Sequence, residues 1–172
     1  MTKGIVGITV GVVVVAAAAL ALAGAYTAPT IVTQPIAFNH RLHAEKAMLD
    51  CTTLCHSAVK TEVFAGLPSK DVCFECHDPD EESDKPELTR LSEFVDLDQD
   101  IPWQRVAVTR PDVFFSHRRH VASGGIACDR CHPGVAEASR PLSEVTLVLS
   151  MDQCLDCHKH DGADVDCLAC HR

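Results

Sequence analysis

The stretch FSHRRHVASGGIACDRCH, residues 115–132, holds two histidines three residues apart and, eight residues after the second, a Cys-x-x-Cys-His motif. An earlier stretch, FNHRLHAEKAMLDCTTLCH at residues 38–56, repeats the arrangement, with His43 eight residues before Cys51. A repeat within one chain indicates that both stretches form the same structural unit. The fold is therefore expected to be built around these histidines and cysteines.

All ten cysteines follow one pattern, in which a pair of cysteines is directly followed by a histidine. The five motifs are Cys51-Cys55-His56, Cys73-Cys76-His77, Cys128-Cys131-His132, Cys154-Cys157-His158 and Cys167-Cys170-His171. Four have the C-x-x-C-H spacing that is typical of covalent c-type haem attachment, and the first has one extra residue. In such sites the thiols bond to the haem vinyl groups and the histidine is the proximal iron ligand. The sequence predicts five c-type haems, covalently attached.

Five histidines remain outside the motifs, one for each predicted haem: His40, His43, His117, His120 and His160. A haem that only transfers electrons binds a protein ligand at both axial positions, because an open position invites other chemistry. We therefore expect these five histidines to be distal ligands. His160 lies outside the repeat, and Met48 and Met151 are the alternatives to it. The pattern leaves open which distal histidine serves which iron.

Two other uses of paired cysteines account less well for the histidines. Zinc sites also combine Cys-x-x-Cys pairs with histidines, but they do not require a histidine directly after the second cysteine in every pair. A disulfide framework in an exported chain gives no reason for the histidines at all. Haem attachment is therefore the prediction.

The amino terminus contains an uncharged apolar run from Ile5 to Tyr26. As a helix, its 22 residues would span about 33 Å, enough to cross a hydrocarbon core of about 30 Å. Lys3 favours a cytoplasmic amino terminus, which places the haem part in the periplasm. A cleaved signal peptide is the alternative, although its apolar core usually has only about 7–15 residues. We expect a retained single-pass anchor (1–26) in the bacterial inner membrane.

The remaining chain is expected to fold into short α-helices and irregular loops around the haems, which take the place of an aliphatic core. A linker (27–34) precedes a first diheme module (35–77). An acidic linker (78–110) then leads to a second diheme module (111–158), and a carboxyl-terminal segment (159–172) carries the fifth haem.

From Asp78 to Asp100 the chain holds ten acidic residues against only two basic ones. The acidic residues are Asp78, Asp80, Glu81, Glu82, Asp84, Glu87, Glu93, Asp96, Asp98 and Asp100. Pro86 and the spacing of the apolar residues after it predict a short amphipathic helix over residues 86–96. The acidic surface could steer a basic redox partner or serve as a solvated connector. A net charge of −9 without a basic patch excludes nucleic-acid binding.

Three segments together resemble a known family. They are the run QPIAFNHRLH at residues 34–43, the run IPWQR at 101–105 and the run FFSHRRHV at 114–121. In this order with the haem motifs, they resemble the membrane-anchored pentahaem cytochrome c subunits (ActA) of bacterial alternative complex III. The multihaem subunit of the related menaquinone reductase complex is similar, although six haems are expected there. The extra residue in CTTLCH departs from the usual motif.

The resemblance implies an electron-transfer subunit rather than an enzyme. Its partners would be iron–sulfur or molybdopterin-like subunits and polytopic quinone-binding subunits in the membrane, which oxidise a quinol. Electrons would leave to a mono-haem cytochrome c, an oxidase or a photosynthetic reaction centre. The alternatives are a free-standing membrane-tethered carrier that feeds a periplasmic reductase and a subunit of a menaquinone-reducing complex.

Overall fold

The computed structural model of the chain describes residues 13–18, 20, 29–80 and 84–171. The chain divides into two compact units, Met1–Thr30 and Ile31–Arg172. In the first unit, residues 13–18 and 20 are helical, and the rest of the predicted anchor lies outside the described residues. Within the ranges given above, no helix is long and apolar enough to cross a membrane.

Short helical segments separated by loops make up most of the second unit, as the sequence predicted. They are the π-helical turns Leu42–Lys46 and Arg119–Ser123, the 3₁₀ turns Ser57–Lys60 and Cys128–Arg130, and the α-helices Lys70–Phe74, Pro86–Asp96, Met151–Asp161 and Cys167–Cys170. The longest have 11 residues. Helices of this length are marginal in isolation, so they depend on contacts with the rest of the chain.

The helix that carries the fourth motif has well-defined ends. Ser150 and Gln153 form a capping box, in which the Ser150 side chain accepts a hydrogen bond from the Gln153 N–H at 3.3 Å and the Gln153 side chain accepts one from the Ser150 N–H at 2.9 Å. At the other end, Gly162 adopts a left-handed conformation with φ 68°. This conformation suits glycine and ends the helix. The sequence therefore determines where this segment starts and stops.

Three short strands, which the sequence did not predict, tie distant segments together. They are Thr30–Ile31, Ala107–Val108 and Glu144–Leu147, with the last strand in the middle. Ala107 pairs with Thr146 in parallel. The Gln34 side chain donates to the backbone carbonyls of Gln104, at 2.9 Å, and Leu142, at 2.8 Å. The end of the linker that precedes the first module is thereby fastened to the acidic linker at Gln104 and to the second module at Leu142.

Very little of the described chain is buried. The buried apolar side chains are Ile36, Val59, Leu91 and Ile101, and none of the described side chains is fully buried. Three of these four form a cluster to which Cys73, Phe74, Phe94 and Trp103 add partly buried surface. A chain of this size would ordinarily bury much more apolar surface. The fold therefore has the sparse protein core that a haem-filled interior predicts.

The predicted helix over residues 86–96 spans Pro86–Asp96 and packs into this cluster through Leu91, which is 4% exposed. Acidic residues at its ends bond to the rest of the chain. A Glu87 carboxylate oxygen accepts a hydrogen bond from the Ala37 N–H, and an Asp100 oxygen accepts one from the Lys70 N–H at 2.8 Å. Glu87 and Asp100 are thus part of the folded body around the second motif.

Candidate haem sites

In the first repeat, one phenylalanine contacts both candidate distal ligands. Phe38 meets His40 edge-on, with ring centroids 4.8 Å apart, and stacks on His43 at 4.3 Å and 25°. The Nδ1 atom of His43 lies 2.9 Å from the Asn39 carbonyl, and the Asn39 side chain accepts a hydrogen bond from the Leu42 N–H at 3.0 Å. These contacts hold the two imidazoles in different orientations on one helical turn.

The second repeat reproduces this geometry closely. Phe115 meets His117 edge-on at 4.9 Å and 88°, and stacks on His120 at 4.5 Å and 26°. The Nδ1 atom of His120 lies 2.9 Å from the Ser116 carbonyl, at the position equivalent to Asn39. The two repeats therefore present their paired histidines in the same arrangement.

Three of the predicted distal histidines lie opposite a motif histidine. The centroid distances and interplanar angles are 6.3 Å and 68° for His43–His77, 6.4 Å and 12° for His117–His132, and 6.1 Å and 29° for His120–His158. A metal–imidazole bond is about 2 Å long. Two such bonds in line, together with the distance from each nitrogen to its ring centre, put the centroids about 6 Å apart. Each pair therefore fits one iron between its rings.

Six of the ten histidines place Nδ1 against a backbone carbonyl and leave Nε2 for a metal. Besides the bonds of His43 and His120, the distances from Nδ1 to oxygen are 2.8 Å for His56–Gly66, 3.2 Å for His117–Val63, 2.6 Å for His158–Asp164 and 3.2 Å for His171–Asp112. Such a bond fixes the tautomer and ring orientation of a metal-binding histidine. The arrangement is that expected of axial haem ligands.

Burial keeps several of these rings neutral. It is the main cause that lowers the pKa of His40, His117 and His132 below the usual value, and neighbouring imidazoles lower these pKa values further. The neutral imidazole is the form that binds a metal. The protein environment therefore favours the ligand state of these side chains before any haem is attached.

The His40 side chain is half-buried. After burial, the charge of His56 is the largest cause that lowers the pKa of His40. Among the described residues, the Nδ1 atom of His40 is the one buried side-chain polar atom without a hydrogen-bond partner. A buried polar atom left unpaired costs about 1–3 kcal/mol. Ligation through the other ring nitrogen gives a reason for holding this ring in place. Because His117, the equivalent residue of the second repeat, faces His132, the repeat predicts that His40 and His56 serve one iron.

The fifth motif is held by the segment that precedes the second repeat. The Phe114 N–H donates to the Cys170 carbonyl at 2.7 Å, beside the contact of His171 with Asp112. His160 is exposed, and no ring contact of the described residues places it opposite His171. The alternatives are also exposed, Met48 by 81% and Met151 by 58%. The distal ligand of the fifth site therefore stays a prediction.

The backbone of the longer first motif keeps the hydrogen bond that joins the two ends of the other motifs. In three motifs the histidine N–H donates to the first cysteine's carbonyl four residues back: His77–Cys73 at 3.0 Å, His132–Cys128 at 2.9 Å and His171–Cys167 at 2.9 Å. In the first motif, the His56 N–H reaches back five residues to the Cys51 carbonyl at 3.0 Å. The extra residue widens the turn but preserves the bond between its ends.

The Asp50 carboxylate accepts hydrogen bonds from the residues that follow Cys51 in this turn. One of its oxygens accepts hydrogen bonds from the Thr52 N–H at 2.8 Å, the Thr52 hydroxyl at 2.7 Å and the Thr53 hydroxyl at 3.1 Å. These bonds lower the pKa of Asp50 to about 2, so the carboxylate is ionised at neutral pH. The departure from the usual spacing is therefore a structured feature of the first motif.

The ten thiols are free of disulfides, and in the described part of the chain no three His, Cys, Asp or Glu side chains converge to hold a metal ion by themselves. A haem iron needs only two protein ligands, because the porphyrin nitrogens supply the other four. A tetrahedral zinc site needs three or four. The residues present fit axial ligation of haem.

The sequence did not identify the residues that orient the ligands. The structure places Phe38 and Phe115 against the candidate distal imidazoles. Their position two residues before the first histidine of each repeat was the signal that could have identified them. The Val63 carbonyl oxygen lies 3.2 Å from the His117 Nδ1 atom. The sequence could not indicate this contact, because every residue has a backbone carbonyl.

Comparison with known proteins gives the same assignment. Residues 113–172 match the family described as "Cytochrome c7 and related cytochrome c". Over 162 residues the chain is 30% identical to the menaquinone reductase multihaem cytochrome c subunit of Nitratidesulfovibrio vulgaris, covering 81% of this chain and 77% of that protein. Together with the paired histidines and the five cysteine motifs, this similarity shows that the chain belongs to the multihaem cytochrome c family, as an electron-transfer protein and not an enzyme.

Proposed function

We propose that the chain is the pentahaem cytochrome c subunit of a membrane quinol-oxidising complex of the alternative complex III type. In this role it would take electrons from iron–sulfur or molybdopterin-like and quinone-binding subunits. It would deliver them to a periplasmic acceptor such as a mono-haem cytochrome c, an oxidase or a photosynthetic reaction centre. Five covalently attached haems, one for each cysteine motif, would carry the electrons.

The observation that carries this proposal is the set of three histidine pairs with centroids 6.1–6.4 Å apart. When bound, haem supplies an iron that gains and loses single electrons, while the protein sets its ligands and surroundings. With both axial positions held by histidine, no position is open to a substrate at these sites. The work of this chain is therefore to hold ligands in fixed orientations and to keep successive sites close together.

The localisation forms part of the proposal. The apolar run from Ile5 to Tyr26 would anchor the chain in the bacterial inner membrane, with the haem-binding unit in the periplasm. Its length supports this, because 22 residues in a helix exceed the thickness of the hydrocarbon core. An anchor of this kind would keep the haem sites next to membrane-embedded quinone subunits.

A second candidate function rests on the relative from N. vulgaris, which is described as a subunit of a menaquinone reductase. A subunit of a menaquinone-reducing complex would use the same haem sites with electrons flowing toward the quinone. A free-standing tethered carrier is the third candidate. The three candidates differ in what the chain binds and in the direction of electron flow.

The test is to solubilise native membranes in mild detergent, separate the complexes on a native gel and stain for haem. We expect polytopic quinone-site subunits and an iron–sulfur protein to migrate with the band that contains this chain. The intact mass of the chain from that band should include residues 1–26 and five attached haems. The purified complex should reduce a c-type cytochrome when a quinol is added.

Other outcomes would select another candidate. Quinone reduction by the complex, without quinol oxidation, would assign the chain to a menaquinone-reducing complex. A band that contains this chain alone, or with a soluble reductase, would identify a tethered carrier. A mass that lacks residues 1–26 would contradict the retained anchor.

A further inference from the structure

In the first module, two haem sites share one helical turn. His40 and His43 are three residues apart, and His43 lies opposite His77. Phe38 holds this pair as Phe115 holds His117 and His120. Since His117 faces the first motif histidine of its module, the repeat assigns His40 to His56. Residues three apart on a helix lie about 5–6 Å from each other. The two sites are therefore neighbours. The thiol of Cys73 is close to that of Cys55, which together with burial, the larger cause, raises the pKa of Cys73 to about 11.

The second module repeats this arrangement. His117 and His120 are again three residues apart, and they face His132 and His158. The thiols of the corresponding motifs also lie near each other, since the Cys157 thiol is the largest influence after burial that raises the pKa of Cys131. The third and fourth sites are therefore neighbours as well.

The two modules meet at the first site of each. The Val63 carbonyl, seven residues after His56, accepts the His117 backbone N–H at 2.9 Å and lies 3.2 Å from the His117 Nδ1 atom. The equivalent cysteines of the two modules also meet: burial and the nearby Cys128 thiol raise the pKa of Cys51. Thioether bonds would attach haem edges at these sulfur atoms, so the two edges would be close together.

The fifth motif adjoins the fourth site. The Nδ1 atom of His158 lies 2.6 Å from the Asp164 carbonyl, three residues before the helix Cys167–Cys170 begins. The hydrogen bond from the Phe114 N–H to the Cys170 carbonyl, at 2.7 Å, holds the fifth motif at the entrance to the second module. The fifth motif therefore lies next to the fourth site and extends the second module at that end.

We infer that the five sites, each named by its motif histidine, form one unbranched row in the order His77, His56, His132, His158 and His171. In this row the His77 site, which belongs to the second motif along the chain, comes before the His56 site of the first motif. The two modules are therefore joined through the sites of His56 and His132. This inference rests on haem binding at all five motifs, as in the proposed function. The row has two ends, and electrons enter and leave the protein there.

The two ends differ in their surroundings. The His77 end is packed against the cluster formed by Ile36, Leu91 and Ile101, which includes Cys73. Through the helix Pro86–Asp96, this end carries the acidic segment. The His171 end is formed by the last residues of the chain and a single short helix, Cys167–Cys170. A basic redox partner would therefore meet the row at its His77 end.

Two variants at equivalent positions test this order in the full-length holoprotein. His43→Met and His120→Met each replace the distal histidine that stacks on a phenylalanine, and methionine ligation raises the potential of the altered site. That site is then reduced first, and its added electron lowers the potential of adjoining haems most, because repulsion falls with distance. We expect His43→Met to lower one other midpoint potential, that of the His56 site. We expect His120→Met to lower two, those of the His132 and His171 sites.

The assignment of each potential would come from the haem methyl resonances in NMR spectra at successive stages of reduction. A His43→Met protein that perturbs two sites equally, or perturbs the His132 site instead of the His56 site, would overturn the order. The same would follow if His120→Met perturbed a single site. If a variant fails to attach its haems, the same NMR titration of the unaltered protein measures the pairwise interactions directly.

The NMR titration tests the order of the sites and the native gel tests the partners, so either claim can be contradicted without the other. A chain that migrates without membrane partners contradicts the proposed complex but leaves the pairwise interactions as they are. Interactions in the wrong order contradict the row, yet the partners would still migrate with the chain. A haem count below five would remove the shared premise and would be visible in the intact mass.

Discussion

At the scale of single residues, each phenylalanine of the repeats orients ligands for two sites at once. Phe115 contacts His117 and His120 with the same distances and angles, within 0.2 Å and 1°, that Phe38 has with its own histidines. One side chain therefore sets the planes of two imidazoles. The angle between the imidazole planes on an iron determines how far its d orbitals are split, and this splitting is visible in the electron paramagnetic resonance (EPR) spectrum.

Replacing Phe115 by alanine should loosen both histidines of the second module. The side chain is half-buried, so we expect a loss of about 2 kcal/mol in the free energy of unfolding, less than the 3–5 kcal/mol for a fully buried phenylalanine. The rhombic low-spin EPR signal expected for the near-parallel pair His117–His132, at 12°, should broaden, and some high-spin haem should appear.

Phe38→Ala is the matched variant and should alter the signal of the His43–His77 pair instead, whose planes are 68° apart. Phe64→Ala, at an exposed phenylalanine that contacts Arg105, should leave all low-spin signals unchanged. If Phe115→Ala keeps the spectrum of the unaltered protein, the phenylalanine does not orient the ligands.

The sequence was enough to propose the candidate ligands, because their chemistry is encoded in residue type and local spacing, and their role as ligands stays a prediction. The sequence did not indicate which candidates face each other. His117 faces a histidine 15 residues away and His43 one 34 residues away, and no local pattern specifies such distances. His160 was predicted as a ligand only because the number of spare histidines equals the number of irons. Such a count does not indicate where in the fold the histidine lies.

At the scale of secondary structure, the helix Pro86–Asp96 shows how an acidic segment becomes part of the fold. Its amphipathic pattern was sufficient to predict the helix, since Pro86 suits the first turn and Leu91 lies on the apolar side. The Lys70 ammonium donates to the Phe94 carbonyl at 3.0 Å, near the end of the helix where a cation is favourable. The three short strands could not be predicted, because two to four residues show no period.

Leu91→Ala should destabilise the protein by about 2–5 kcal/mol, as for other buried leucines, and should affect the His77 site before the others. Leu91 is 4% exposed and lies in the cluster to which Cys73 contributes. Urea unfolding followed by haem absorbance gives the stability, and a redox titration shows which site changes.

Val95→Ala is the control on the same helix, because Val95 is 41% exposed, and it should change stability by less than about 0.5 kcal/mol. Equal effects of the two substitutions would mean that the helix does not pack through Leu91.

At the scale of the whole molecule, covalent and axial bonds to haem are expected to take the place of most of the usual core. Four buried apolar side chains among the described residues cannot offset the conformational entropy of a chain of this length. The sequence predicted this from the density of haem motifs. It could not reveal the order of the sites, which depends on contacts between modules far apart in the chain.

We therefore expect the chain to be unfolded when it is produced without haem attachment. Circular dichroism of such protein should show no cooperative thermal transition, whereas the haem-loaded protein should unfold cooperatively. Attachment and folding should then proceed together, as metal binding and folding do in small metal-dependent domains. A sharp transition in the haem-free chain would show that the polypeptide alone encodes a stable core.

The bond between the Val63 carbonyl and His117 makes the carboxyl-terminal half dependent on the amino-terminal half. A truncated chain that begins after the acidic segment would keep three motifs and would correspond in extent to the region that matches the cytochrome c7 family. It would nevertheless lose the acceptor that orients one of its own ligands. Recombination that exchanges one half for that of a relative would have to bring a compatible loop after the first motif. The two halves are therefore expected to be inherited together.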